Sequence, residues 1–179
     1  MGTGQRQRGI LEEVLYLAKC PVIIDADGIN NLAMDISIVA DAKCPVVLTP
    51  HFGEMARICQ TSVSEIQKAP LLCAQELAAQ LKATIVLKGA HTIIASADGR
   101  TFINQTGNPG LAKAGSGDVL TGILASLISQ GMQPFDAAVS AVYLHGAAAD
   151  RCVERMSEYF MQPDDILIDL GRLFKEHIR

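Results

Sequence analysis

Three short apolar runs frame the chain: Val22-Ile23-Ile24, Val46-Val47-Leu48 and Thr84-Ile85-Val86-Leu87. Continuous β-branched runs with turn signals at both ends are the pattern of strands buried on both faces, as in a parallel sheet. The first two lie in near-repeats, AKCPVIIDADG (18–28) and AKCPVVLTPHFG (42–53). Helical periodicity fills the intervals, over 6–18, a short turn at 29–33, 53–59 and 70–81. After Lys88 the period changes: 92–95 and 101–103 flank Asp98-Gly99, which predicts a hairpin at one side of the sheet. Two more helices follow over 116–130 and 134–153, the second rich in alanine. A last helix runs over 163–177, opened by Pro163, Asp164 and Asp165, where the helix dipole favours acidic residues. Strand and helix in alternation predict an α/β fold with right-handed crossovers. No linker or low-complexity tract interrupts the 179 residues, so a single domain over 1–179 is expected. The sheet is small for so apolar a chain, and Gly2-Thr3-Gly4 stands where a glycine turn would normally follow a strand. The chain is therefore expected to begin inside a fold.

Composition narrows the function more than the fold. The chain is 49% hydrophobic and 19% charged, enough apolar material for a substantial core. Its net charge of −4 and scarcity of aromatics argue against nucleic-acid binding. An anionic ligand would have to be held by local amides and one or two lysines. Five cysteines, widely spaced and without a CxxC pair, support neither a zinc site nor a disulfide framework, so no metal site is expected from the protein's side chains. The N-terminal segment has no apolar signal core, and no run approaches the ~18 residues of a membrane span. A soluble, cytoplasmic protein is the expectation.

The chemistry concentrates in 104–122, NQTGNPGLAKAGSGDVLTG, which holds five glycines, four of them up to Gly117, where a helical pattern takes over. Glycines ahead of a helix let amides approach an anion, and the helix N-terminus adds partial positive charge. Asp118 falls in the first turn, where a carboxylate can take a proton from a hydroxyl exchanging a phosphoryl group. An ordinary glycine-rich loop with Asp118 as a helix-start residue is the bland alternative. Ligands in open α/β sheets gather beyond the carboxyl ends of the strands. Asp25, Asp27 and Asn30 follow the first strand, Thr49, His51 and Glu54 the second, and Lys88, Gly89, His91 and Thr92 the third. Asp25 could instead cap a turn, and His51 could pair locally with Glu54. His91 could offer backbone contacts only, and His145, on an alanine-rich helix, reads as a packed core residue.

DADGIN (25–30), TPHFGE (49–54), LKGAHT (87–92) and above all GNPGLAKAGSGDVLTG (107–122) resemble the nicotinamide-nucleotide hydrate dehydratases. That resemblance runs along essentially the whole chain. It implies a ribokinase-like, three-layer α/β/α fold with a mostly parallel sheet, and a cytoplasmic homo-oligomer, commonly a tetramer. It also implies use of ADP or ATP with Mg²⁺ to repair hydrated NADH and NADPH. The implied substrate contacts are Gly4, His51 and Asp118; the implied nucleotide contacts are Lys88, Gly89, Ala90, His91, Thr92 and Gly117. Asp118 would remove the proton from the C6 hydroxyl, whose oxygen takes the terminal phosphoryl. Amides of Gly115, Ser116 and Gly117 would stabilise the phosphoryl charge. The ring nitrogen then expels phosphate.

One departure stands out. Met1 occupies the position of the proline in the family's GPGLG turn, and the family's domain begins well upstream of it. Two other readings stay open: a ribokinase-like kinase acting on a sugar, thiazole or pyrimidine, and a fragment that binds nucleotide without turnover.

Overall fold

The computed structural model describes residues 2–177, and the chain divides into two compact units, Met1–Ile103 and Asn104–Arg179. The first unit holds α1 (Gln5–Leu17), β1 (Val22–Ile24), α2 (Asp27–Leu32), α3 (Ser37–Ala40), β2 (Val46–Leu48) and α4 (Phe52–Ile58). It continues with α5 (Val63–Lys68), α6 (Pro70–Leu81), β3 (Thr84–Leu87), β4 (Ile93–Ala95) and β5 (Thr101–Ile103). The sheet has the order β1-β2-β3-β4-β5. β1, β2 and β3 run parallel, with Val22 beside Val46 and Leu48 beside Ile85. β4 and β5 turn back antiparallel, with Val86 beside Ile94 and Ile94 beside Phe102. The expected hairpin therefore lies at one side of a parallel sheet, and the fold is α/β.

Side-chain alternation explains the burial. Val46, Leu48, Ile85, Leu87, Ile93 and Ala95 share one core cluster with Leu11 and Leu15 of α1, Met55 of α4 and Leu77 and Leu81 of α6. Val47, Val86 and Ile94, on the opposite face, are buried as well. All five strands lie within one residue of their predicted places. Two short helices, α3 and α5, were not expected. The Ser62-Val63-Ser64-Glu65 pattern nevertheless carried a start signal for α5: the Ser62 side chain accepts from the Glu65 amide at 3.1 Å. Pro70 then closes that helix at Ala69 and starts α6. The turn expected at 29–33 is a full helix, α2.

The second unit contains a 3₁₀ turn (Pro109–Leu111), α7 (Ser116–Ser129), α8 (Pro134–Arg155) and α9 (Pro163–His177). α8 and α9 are tied through Asp169, which is fully buried. Its carboxylate accepts from Arg155 Nε at 2.9 Å, Cys152 Sγ at 3.0 Å and Arg172 at 2.7 Å. Burial alone would raise the carboxyl's pKa, but these donors prevail and hold it at about 2. Burial, with the same hydrogen bond, pushes the Cys152 thiol up to about 12, so it is an inert packing group.

Candidate functional site

Beyond the carboxyl ends of β1, β2 and β3, four side chains from three segments meet. Lys88 Nζ donates to Asp25 Oδ1 at 2.8 Å and stands 4.0 Å from Glu54 Oε2. The backbone brings them together: the Lys88 amide donates to Pro50 O at 2.7 Å, and Lys88 bridges to His51 as a short parallel extension of β3 along β2. His51 then caps α4. Its Nδ1 accepts from the Gly53 and Glu54 amides at 2.9 and 3.2 Å, while Glu54 Oε2 accepts from the His51 amide at 2.8 Å. This is a capping box with histidine in the place usually held by serine or threonine. Because Nδ1 is an acceptor, the neutral ring carries its proton on Nε2, which lies 3.5 Å from Glu54 Oε1 on a half-exposed side chain.

Asp25 is not the cap of α2; that position is Ala26, and Asp25 instead pairs with Lys88. Gly89, Ala90 and His91 form an exposed turn, closed where the Thr92 hydroxyl donates to Gly89 O at 3.2 Å. The Phe52 ring packs so closely on Gly89 that a Cβ there would sit 2.7 Å from it. Gly4 is fixed by Asn31, a buried residue that sequence reasoning passed over in favour of Asn30. Asn31 Oδ1 accepts from the Gly4 amide at 3.0 Å, and its Nδ2 donates to Gly2 O at 3.0 Å and Asp27 O at 2.8 Å. The only sequence signal for this was a polar residue on the inner face of an otherwise apolar turn.

In the second unit, Gly115 takes φ +92° as the N-cap of α7, a left-handed conformation that suits glycine. Ser116 is buried, Gly117 partly buried and Asp118 exposed in the first turn. Helix geometry leaves the amides of this turn without intrahelical acceptors. The Ser116 amide reaches back to Lys113 O at 3.3 Å, a long bond. Lys113 itself is spent on structure: its ammonium donates to the carbonyls of Glu158, Tyr159 and Met161 at 3.2, 2.9 and 2.5 Å. Asp150 of α8 accepts from the Gly107 amide at 2.8 Å and from Asn108 Nδ2 at 3.1 Å. His145 is buried, as expected of a packed histidine. Asp150 and Asn31 carried no local motif, because each acts on a segment distant in sequence; Lys113 lies within the 107–122 motif, but its partners are distant too.

Among the described residues, no group of three or more His, Cys, Asp or Glu side chains converges to hold an ion, and no helix is long and apolar enough to cross a membrane.

A parallel sheet with an antiparallel hairpin, a lysine at a strand end and a glycine-bounded helix start define a ribokinase-like α/β protein. A ribokinase-like superfamily protein from Enterococcus faecalis V583 superposes on 94% of the chain with a TM-score of 0.78 at 32% identity, the chain covering 58% of it. More particularly, the chain belongs to the NAD(P)H-hydrate dehydratase family, whose sequence profile matches residues 1–171. It is 46% identical over 158 residues to the bifunctional NAD(P)H-hydrate repair enzyme of Moorella thermoacetica, covering 88% of this chain and 30% of that protein. The ADP/ATP-dependent NAD(P)H-hydrate dehydratase of Bacillus subtilis, crystallised with ATP and Mg²⁺, matches 98% of the chain with a TM-score of 0.87 at 36% identity. Here the chain spans 61% of the relative's length.

Proposed function

We propose that this chain carries the chemistry of an ADP- or ATP-dependent (6S)-NAD(P)H-hydrate dehydratase, with its two units forming one ribokinase-like domain over 1–179. The observation that carries the reading is the start of α7, where a left-handed Gly115 turns the chain into a helix whose first turn bears an exposed Asp118. Family membership supplies the substrate.

Asp118 takes the proton of the C6 hydroxyl of the hydrate, and that oxygen attacks the terminal phosphorus of ADP or ATP, releasing AMP or ADP. The amides of Gly115, Ser116 and Gly117 point partial positive charge at the phosphoryl oxygens. The ring N1 lone pair then expels phosphate from C6, and loss of the C5 proton restores the dihydropyridine. Phosphorylation thus converts hydroxide, a poor leaving group, into phosphate. Lys88 and the Gly89–Thr92 turn bind the adenine nucleotide, and His51 and Gly4 contact the hydrate. His51 is suited to donate, since its cap role commits Nδ1 and leaves the half-exposed ring's Nε2–H, 3.5 Å from Glu54 Oε1, as its donor.

Mg²⁺ is commonly held by one or two carboxylates together with phosphate oxygens. The dispersed carboxylates here fit an ion that arrives on the nucleotide's phosphates and offsets their charge. Exposed Ile10, Val14, Tyr16 and Leu17 on α1 support association with further protein surface, in line with a homo-oligomer.

Incubating the protein with hydrated NADH and ADP should regenerate the near-ultraviolet absorbance of the reduced dinucleotide. Asp118→Asn should lower turnover by roughly 10²-fold or more while nucleotide affinity changes little. Unchanged turnover would remove Asp118 as the base. Phosphorylation of a sugar or vitamin precursor, without recovery of NADH, would point to a kinase instead.

A further inference from the structure

The repeated Ala-Lys-Cys-Pro-Val, at 18–22 and 42–46, stands at the amino ends of β1 and β2, away from the site at their carboxyl ends. The sheet aligns its two copies. Val22 pairs with Val46 in parallel register, and the Val22 amide donates to Pro45 O at 2.9 Å. The proline after each cysteine restricts both backbones alike, and Lys19-Cys20 and Lys43-Cys44 form the same bend. Carried two residues back from Val22 and Val46, the register sets Cys20 beside Cys44.

Neighbouring strands lie about 4.8 Å apart, and two cysteines can be bridged when their Cα atoms are about 4.4–6.8 Å apart. The two-residue period turns both side chains to the face of Val22 and Val46. Cys44 packs against the core on that face, its Sγ 3.9 Å from Leu15 O of α1, whereas Cys20 is exposed. Both are free thiols. Burial, and then the neighbouring Cys20 sulfur, raise the Cys44 thiol above its ordinary pKa, as the register requires of adjacent groups. Packing accounts for Cys44, but not for a second thiol left in solvent beside it.

We infer that Cys20 and Cys44 form a reversible thiol–disulfide site, oxidised by a low-molecular-weight disulfide. Cys20, the exposed thiol, gives its proton to solvent and attacks one sulfur of the reagent RSSR, whose S–S bond breaks to release RS⁻. Cys44 loses its proton in turn and attacks Cys20 Sγ, forming the Cys20–Cys44 bond and expelling the second RS⁻. Two electrons pass from the protein to the reagent, and the two RS⁻ take up the two protons as RSH. The loop so closed carries β1, α2 and α3, with Asp25 and Asp27 among its residues.

Treating the protein with oxidised glutathione, alkylating the remaining thiols and digesting with trypsin without reductant locates the bond. Cleavage after Lys19, Lys43 and Arg57 leaves the two cysteines on separate peptides, 20–43 and 44–57, neither of which holds another cysteine. These two peptides should be joined in protein that still runs as a single chain on a non-reducing denaturing gel, and dithiothreitol should separate them. The link should exceed any other disulfide roughly tenfold or more, because the second thiol is already in place. Cys44→Ser should stop at glutathione held on Cys20, and Cys20→Ser should leave Cys44 free. Glutathione retained on Cys20 of the wild type would overturn the inference. So would a link found only between two chains, or one joining Cys44 to Cys59 or Cys73.

Discussion

Gly146→Ala sets two effects of opposite sign against each other. In an exposed helix interior, alanine for glycine stabilises by about 1 kcal/mol. At Gly146, however, the new Cβ would lie 2.2 Å from Thr106 Oγ1, 2.6 Å from Thr106 C and 2.7 Å from Thr106 O. Two of those atoms are backbone, so no rotamer change relieves the overlap; the loop itself must give way, which is how overpacking costs stability. Such a shift breaks the contacts the Thr106 hydroxyl makes with Asn104 Oδ1 and Tyr143 O, at 3.1 and 3.0 Å. The hydroxyl has one proton to share between these two acceptors, so about 1 kcal/mol is lost, and overpacking adds about 1–3 kcal/mol. After the helix gain is deducted, the net is about 1–3 kcal/mol of destabilisation. Gly171→Ala on α9 is the matched control, because nothing lies within 4 Å of its added Cβ. It should stabilise by about 0.5–1 kcal/mol. Urea unfolding followed by circular dichroism measures both. If Gly146→Ala matched Gly171→Ala in sign, the close seating of the loop on α8 would be wrong.

Replacing Asp169 by Asn should cost about 3 kcal/mol at neutral pH, since two guanidinium groups and a thiol lose a common acceptor. The wild-type carboxyl is held at about 2 against an unfolded value of about 3.9, so its contribution is present above pH 4 and lost as pH falls toward 2. Acid unfolding of Asp169→Asn should lack that step. His145 titrates at about 4 in the fold against about 6.5 unfolded, so the unfolded chain takes the proton first. Stability should therefore fall by up to about 3 kcal/mol between pH 6.5 and 4, a slope that His145→Asn removes; an unchanged slope would show the ring is not buried neutral. His51→Ala should cost about 1 kcal/mol through the lost cap while His51→Asn costs little, and both should raise KM for the hydrate. Equal stability of the two would deny the cap.

The strands were legible because each is a β-branched run cut off by a turn signal. Val22–Ile24, Val46–Val47-Leu48 and Thr84–Leu87 left no other reading. Asp98-Gly99 announced the hairpin as directly, with Gly99 at φ +87°. Short helices were harder. α3 has four residues, too few for any period to appear, and its start is set by Asp35, which accepts from the Ser37 amide and hydroxyl at 3.1 and 2.6 Å. Residues that bear motifs were legible, while those that hold them in place were not. Asn31, Asp150 and Gly146 act across 27 to 43 residues of sequence and, for Gly146, through a contact that only the packed helix creates.

Two lysines beside glycine-rich turns show why position alone misleads about chemistry. Lys88, the lysine the sequence singles out, and Lys113 are each followed by a glycine within two residues. Their acceptors separate them. Three backbone carbonyls surround the Lys113 ammonium, and a carbonyl cage satisfies its three donors without neutralising its charge. To reach a ligand it would have to abandon the segment 158–161 that it ties down. Lys88 faces carboxylates instead, with Asp25 at 2.8 Å and Glu54 at 4.0 Å. A phosphate oxygen can replace a carboxylate oxygen without changing the kind of bond the ammonium makes. Exchange of one anion for another is chemically easy at Lys88, whereas at Lys113 it would dismantle a loop. In the function proposed above, the lysine already paired with carboxylate is the one suited to take phosphate, since the ion pair with Asp25 holds its side chain in place.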